Sequence, residues 1–135
     1  MYNKITVNKR VCVYIMDCRT ISTFRNLERQ AINQRYREVY AHELAHKNAA
    51  GTLAGAIVIE KDSKGMPIGG HVSIKMPKLN IDNPTETFEH DNKVIRAALA
   101  PSNPSAQDYK VASKARSIKA QAETIQSKKR LDYYA

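Results

Sequence analysis

The chain has 135 residues, 42% of them hydrophobic, two cysteines and a formal net charge of +9. That length suits one core of moderate size and a single domain. No apolar run is long enough to cross a bilayer, and Met1 to Arg10 lacks the apolar centre of a secretory signal, so a cytoplasmic protein with no transmembrane segment is expected.

Ile5 to Val7 and Val11 to Ile15 are β-branched runs flanking Asn8-Lys9-Arg10, which predicts an N-terminal hairpin or one long strand. Cys12 and Cys18 match neither a CxxC redox pair nor a zinc ribbon, and they read as reduced packing thiols. A long helix is predicted from Thr20 or Ser22, either of which can cap it, to Ala50, because helix formers dominate Asn26 to Ala50 and Gly51 is a natural stop. Along it Ile32, Tyr36, Val39, Glu43, His46 and Ala50 follow steps of three or four, a stripe that begins apolar and turns polar at its end.

That polar end is His42-Glu43-Leu44-Ala45-His46, an HExxH pentapeptide. On a helix it sets two imidazoles one turn apart with a carboxylate beside them, the geometry of a zinc hydrolase. Two neutral imidazoles hold a divalent metal that acidifies water, and the adjacent carboxylate can take the proton. His42 and His46 are the candidate metal ligands and Glu43 the candidate general base. The bland alternative is two satisfied histidines and an exposed acid on a helix.

Beyond Gly51, Ala56 to Ile59 and Gly70 to Met76 read as two strands with Asp62-Ser63-Lys64-Gly65 turning between them. Asn83-Pro84-Thr85-Glu86 supplies a cap, a proline at the first helical position and an acid, and Phe88, Ile95 and Leu99 then repeat on one face of a second helix. Pro101 and Pro104 end it. Ser105-Ala106-Gln107-Asp108 resembles a capping box, followed by a final helix with the stripe Val111, Ala115, Ile118, Ala122 and Ile125. Asp108 serves either as that cap or as a carboxylate orienting a ligand imidazole. The predicted class is α+β: a small, mainly helical domain with a long active-site helix, a short β-hairpin and two C-terminal helices. Within it, residues 1–26 form an N-terminal extension, 27–125 the core and 126–135 a basic tail.

From Glu28 to Ile125 the chain resembles the SprA-related family of zincin-like zinc metallopeptidases. The resemblance is carried by Arg37 to His46, Ala49-Ala50-Gly51, Ala54-Gly55, Asp62 to Gly65, Gly69 to Ile74, and the run Arg96 to Asp108 followed by Val111-Ala112. It implies a zincin-like fold and a zinc ion acting on peptide or protein substrates. Two departures stand out. Where the family usually carries Gly-Glu-Val-Ser-Ile-Asp, this chain has Gly70-His71-Val72-Ser73-Ile74-Lys75. Glutamate and histidine are interchangeable zinc ligands, so His71 becomes the candidate third ligand, with Glu86, Glu89 and His90 as rivals. Tyr40, Tyr109 and His90 are candidate donors to a developing oxyanion.

The expected function is therefore hydrolysis of peptide bonds by a zinc metallopeptidase. The alternative is a catalytically inactive zincin-fold binding or assembly protein acting through its basic flanks. Residues 1–40 carry eight basic and three acidic groups, and 104–135 carry seven and three. Such flanks attract an acidic protein partner or nucleic acid, although a solvated basic face explains them more simply.

Overall fold

In the computed structural model, the described residues are 18–134. The N-terminal strands expected at 5–15 and the thiol of Cys12 lie outside them. Contacts divide the chain between Ala31 and Ile32, inside the first helix.

Helix α1 spans Cys18–Ala50, with neither glycine nor proline to interrupt it. Its first part, up to Ala31, is exposed along Ile21, Phe24 and Leu27. Neither Thr20 nor Ser22 caps it, since both lie inside the helix: the Ser22 and Thr23 hydroxyls donate to the Arg19 carbonyl at 2.8 Å, a bond available only inside a helix already begun. The helix stops at Gly51, whose φ of +58° is left-handed backbone that side chains resist, and Lys47 places a cation in the last turn.

A short 3₁₀ turn, Gly51–Leu53, leads into strand β1, Ala54–Lys61, which pairs antiparallel with β2, Pro67–Ile74. Asp62 holds the hairpin by accepting the Lys64 and Met66 amides, each at 2.9 Å, while Gly65 takes a φ of +82°. Ile57 faces Val72 and Ile59 faces Gly70, all half-buried on one side of the sheet; Val58 faces His71 and Glu60 faces Gly69 on the other. The period of two thus puts Ile57, Ile59 and Val72 on the covered face and leaves Val58 on the exposed one.

Helix α2, Pro84–Ala98, has the expected proline in its first turn. Asn83 makes no side-chain cap bond; Asn80 organises the entry, donating to Thr87 Oγ1 at 2.9 Å and to Glu86 Oε2 at 3.0 Å. The fully buried line of α2 runs through Thr87, Asp91, Val94 and Ala98, with Phe88, Ile95 and Leu99 half-buried beside it. Helix α3, Ala106–Tyr134, packs along α2 through Ala112, Ala115 and Ala122. It runs through the basic segment read as a tail, because no proline or glycine interrupts 106–134. The domain is α+β, with two strands and three α-helices among the described residues. No helix among them is long and apolar enough to cross a membrane.

Candidate metal centre

The inner line of α1 consists of Val39, Glu43, His46 and Ala50, all buried, with His42 on its flank. Glu43 and His46 are only 5% and 4% exposed. Ionisable groups are rarely buried to that extent without a partner.

His46 has one on each side of its ring. Nδ1 lies 2.8 Å from the Ala97 carbonyl of α2. A carbonyl only accepts, so Nδ1 carries the hydrogen and Nε2 presents its lone pair. That lone pair points toward His42 Nε2 at 3.3 Å and Asp108 Oδ1 at 3.4 Å, and His42 Nε2 lies 3.7 Å from Asp108 Oδ2. The two imidazoles meet edge to face, 4.9 Å between centroids. Three electron-rich groups therefore converge on one point.

The spacing tests whether a metal fits. Around a tetrahedral zinc with bonds of about 2.0–2.1 Å, neighbouring ligand atoms stand about 3.3–3.4 Å apart. The observed 3.3, 3.4 and 3.7 Å approach that edge. Two imidazoles and a carboxylate are also a common zinc donor set, and the Ala97 carbonyl fixes the His46 tautomer a ligand needs. Among the described residues, His42, His46 and Asp108 are the histidine, cysteine and carboxylate side chains that gather closely enough to hold an ion.

Asp108 is delivered by the start of α3. Ser105 donates to Oδ2 from its amide at 2.6 Å and from its hydroxyl at 2.7 Å, and the Asp108 amide donates to Ser105 Oγ at 3.2 Å. This is the expected capping box, and it clamps the carboxylate whose Oδ1 faces His46. Cap and cluster member are one residue.

His71, expected from sequence as third ligand, is not brought into this group. Strand alternation explains why: Gly70 faces α1, so His71 faces away from it, and its Nδ1 pairs with Glu60 Oε1 at 3.3 Å across the exposed side of the sheet. Asp108 stands in the third position instead. Glu86 is engaged by Asn80, Glu89 is exposed, and His90 lies outside the cleft. Tyr40 stacks on Tyr36, and neither Tyr40 nor Tyr109 lines the cleft.

Glu43 sits against β2. A Cβ built on Gly70 would lie 2.9 Å from Glu43 Cγ, 2.9 Å from Val39 Cγ1 and 3.0 Å from the Val58 carbonyl, so only glycine lets the strand approach this closely. Burial raises the Glu43 carboxyl above its ordinary pKa, against the pull of His46 and His42; Asp108 adds to the rise and His71 opposes it. The cluster and Glu43 line a cleft of about 670 Å³ between α1, β2 and the start of α3. Asn103, Ser105 and Gln107 add polar groups to its wall. Sequence reasoning did not single out Asn103 or Gln107, and no periodicity marks them.

The SprA-related family model matches residues 20–133, and the chain belongs to that family. No curated protein matches the chain, and no solved structure does.

Proposed function

We propose that the protein is a zinc-dependent metallopeptidase, with His42, His46 and Asp108 as the metal ligands and Glu43 as general base. The observation that carries this is the convergence of two imidazole nitrogens and a carboxylate at near-tetrahedral spacing beside a buried glutamate. Zinc held there supplies Lewis acidity, polarising a substrate carbonyl and acidifying water near neutral pH. Glu43 removes the proton from the attacking water and delivers it to the departing amine nitrogen. Its raised pKa suits both directions of transfer. His46 is held in one tautomer by Ala97, and Asp108 in one rotamer by Ser105, so neither has to reorganise.

His71 and Glu86 have other partners, so the cluster keeps one side open to the cleft, as a catalytic zinc requires and a structural one does not. Elemental analysis of protein purified with zinc is expected to give one ion per chain. Glu43→Gln retains it while peptide hydrolysis falls at least about a hundredfold. Full turnover by zinc-loaded Glu43→Gln rejects the mechanism.

A second reading, a binding protein acting through its basic flanks, is favoured by one observation. Among the described residues Arg35 is the only lysine or arginine within ion-pair distance of a carboxylate, at 3.2 Å from Glu38. Nucleic-acid affinity that falls steeply with salt supports that reading, and flat salt dependence removes it.

A further inference from the structure

From Arg19 to Ala31 every side chain of α1 is exposed, Phe24 and Leu27 by 56% each. The segment nevertheless has two faces. Helical steps of about 100° gather Ile21, Phe24, Leu27 and Ala31 into an arc of about 120° and leave Arg19, Arg25, Arg29, Asn26 and Gln30 around the other side. Glu28, the single acid of the segment, lies in the apolar arc beside Ile21. In a globular helix such a stripe faces a core. Here it faces solvent, with Ile21 39% exposed as well.

Charge and size limit what can cover it. Three arginines against one glutamate leave residues 19–31 at +2, in a chain of net charge +9. A second copy laid on the stripe would set like charge against like, which opposes association. A stable protein interface engages roughly 20–30 residues a side, far more than this stripe offers. Nucleic acid would pair with the arginines but gives Ile21 and Leu27 no apolar phase to enter. A bilayer interface with anionic headgroups meets both needs, since acyl chains accept the stripe and lipid phosphates the guanidinium groups. No helix among the described residues is long and apolar enough to cross a membrane, so the contact is a helix lying on the surface.

We infer that residues 19–31 of α1 form a peripheral membrane contact: an amphipathic helix in the headgroup region of an anionic bilayer, with Ile21, Phe24 and Leu27 turned into the acyl boundary and Arg19, Arg25 and Arg29 reaching lipid phosphates. Long arginine stems let the charge stay at the headgroups while the stripe sinks below it. A few apolar side chains anchor weakly and so does a short run of charge, so binding requires both and falls with salt. The inference is independent of the metal centre, whose residues all lie after Ala31.

The full chain carrying Phe24→Trp is titrated with phosphatidylcholine vesicles prepared with and without phosphatidylglycerol. The sequence has no tryptophan, so the substituted one is the sole reporter of the stripe. The expected result is a blue shift of its emission on the anionic vesicles, with affinity at least about tenfold above that for neutral ones and falling with salt. In the otherwise unchanged chain, Phe24→Ala with Leu27→Ala keeps good helix formers in place and is expected to weaken co-sedimentation with anionic vesicles at least about tenfold. Arg25→Gln with Arg29→Gln is expected to weaken it by a similar factor, and Glu28→Gln to tighten it. Circular dichroism and the urea midpoint should stay at wild-type values in all of them, because these side chains are exposed. Absence of vesicle binding, equal affinity for neutral vesicles, or binding that survives the double alanine substitution overturns the inference. Self-association of the wild type that the same substitution abolishes also overturns it, by assigning the stripe to a second copy.

Discussion

Helices α2 and α3 meet through small side chains, whereas the second half of α1 meets its neighbours through groups that carry charge or lone pairs. On α2 and α3 the buried positions are mainly Val94, Ala97, Ala98, Ala112, Ala115 and Ala122, which let two helices approach closely at no electrostatic cost. On α1 from Ile32 onward the buried positions are Val39, Glu43, His46 and Ala50, half of them ionisable. Its ties are the His46–Ala97 hydrogen bond, the approach of Asp108 to both imidazoles, and the Gly70 contact with Glu43. The α2–α3 pair is held mainly by apolar contact, whereas the face of α1 gathers lone pairs and a carboxylate that a cation would neutralise. One region packs on small apolar groups, and the other gathers the ionisable ones.

The largest expected effect is on rate. Glu43→Gln removes the base but keeps the ligands, so hydrolysis falls by about two to four orders of magnitude. It also sharpens the comparison through stability. A carboxyl whose folded pKa is raised holds its proton more tightly in the folded state, so folding is favoured most below the ordinary carboxylate range. That advantage is lost as pH rises to the raised value. Glutamine does not titrate, so this part of the pH dependence should disappear from urea melts of the variant, and an unchanged slope would contradict it.

Chelation comes next. If zinc at a hundredfold over its dissociation constant contributes about 2.7 kcal/mol, its removal lowers Tm by roughly 10 °C. Hydrogen exchange should then rise in residues 36–50 and hardly change along α2 and α3. Equal loss of protection in both regions would break the comparison. Gly70→Ala forces a methyl group to within 2.9 Å of Glu43 Cγ and Val39 Cγ1. We expect it to cost about 1–3 kcal/mol in chemical denaturation. A neutral result there would mean that β2 does not brace the glutamate.

The α2–α3 pair buries one ionisable side chain among the described residues. Asp91 is fully buried, and neither carboxylate oxygen has a hydrogen-bond partner among the described residues. Burial raises its pKa, opposed by His90 and Lys119. Asp91→Asn is therefore expected to stabilise the protein by about 1 kcal/mol at pH 8. The gain should shrink toward pH 3, where the acid takes up its proton in the unfolded state as well; calorimetry at the two pH values checks it. Smallest is Ser105→Ala, which removes a cap worth about 1 kcal/mol and leaves Asp108 Oδ2 held by the backbone amide alone. Zinc affinity should weaken with it, as a competition titration would show.

Much of this was legible in the residues. The length of α1, its stop at Gly51, the hairpin around Asp62 and Gly65 and the box at Ser105 and Asp108 all follow from local chemistry, and local chemistry is what a sequence displays. The third member of the cluster did not, for two physical reasons. Asp108 already had a complete local explanation as a cap, and its second role arises only when α3 docks against α1. His71 looked suitable by type, but its facing depends on which side of the sheet α1 covers, and a strand's period of two gives the alternation without saying which face turns inward. The core of α2 shifted from Phe88, Ile95 and Leu99 to Thr87, Asp91, Val94 and Ala98 for a related reason: the partner helix presents alanines, so the closest approach favours small residues.

The most direct test is the zinc content of Asp108→Ala beside His71→Ala, both purified and reloaded with zinc like the wild type. The expected result is one zinc per chain in wild type and in His71→Ala, and loss of the ion from Asp108→Ala. Zinc retained by Asp108→Ala and lost from His71→Ala would contradict the assignment, and zinc absent from the wild type would remove the metal centre altogether.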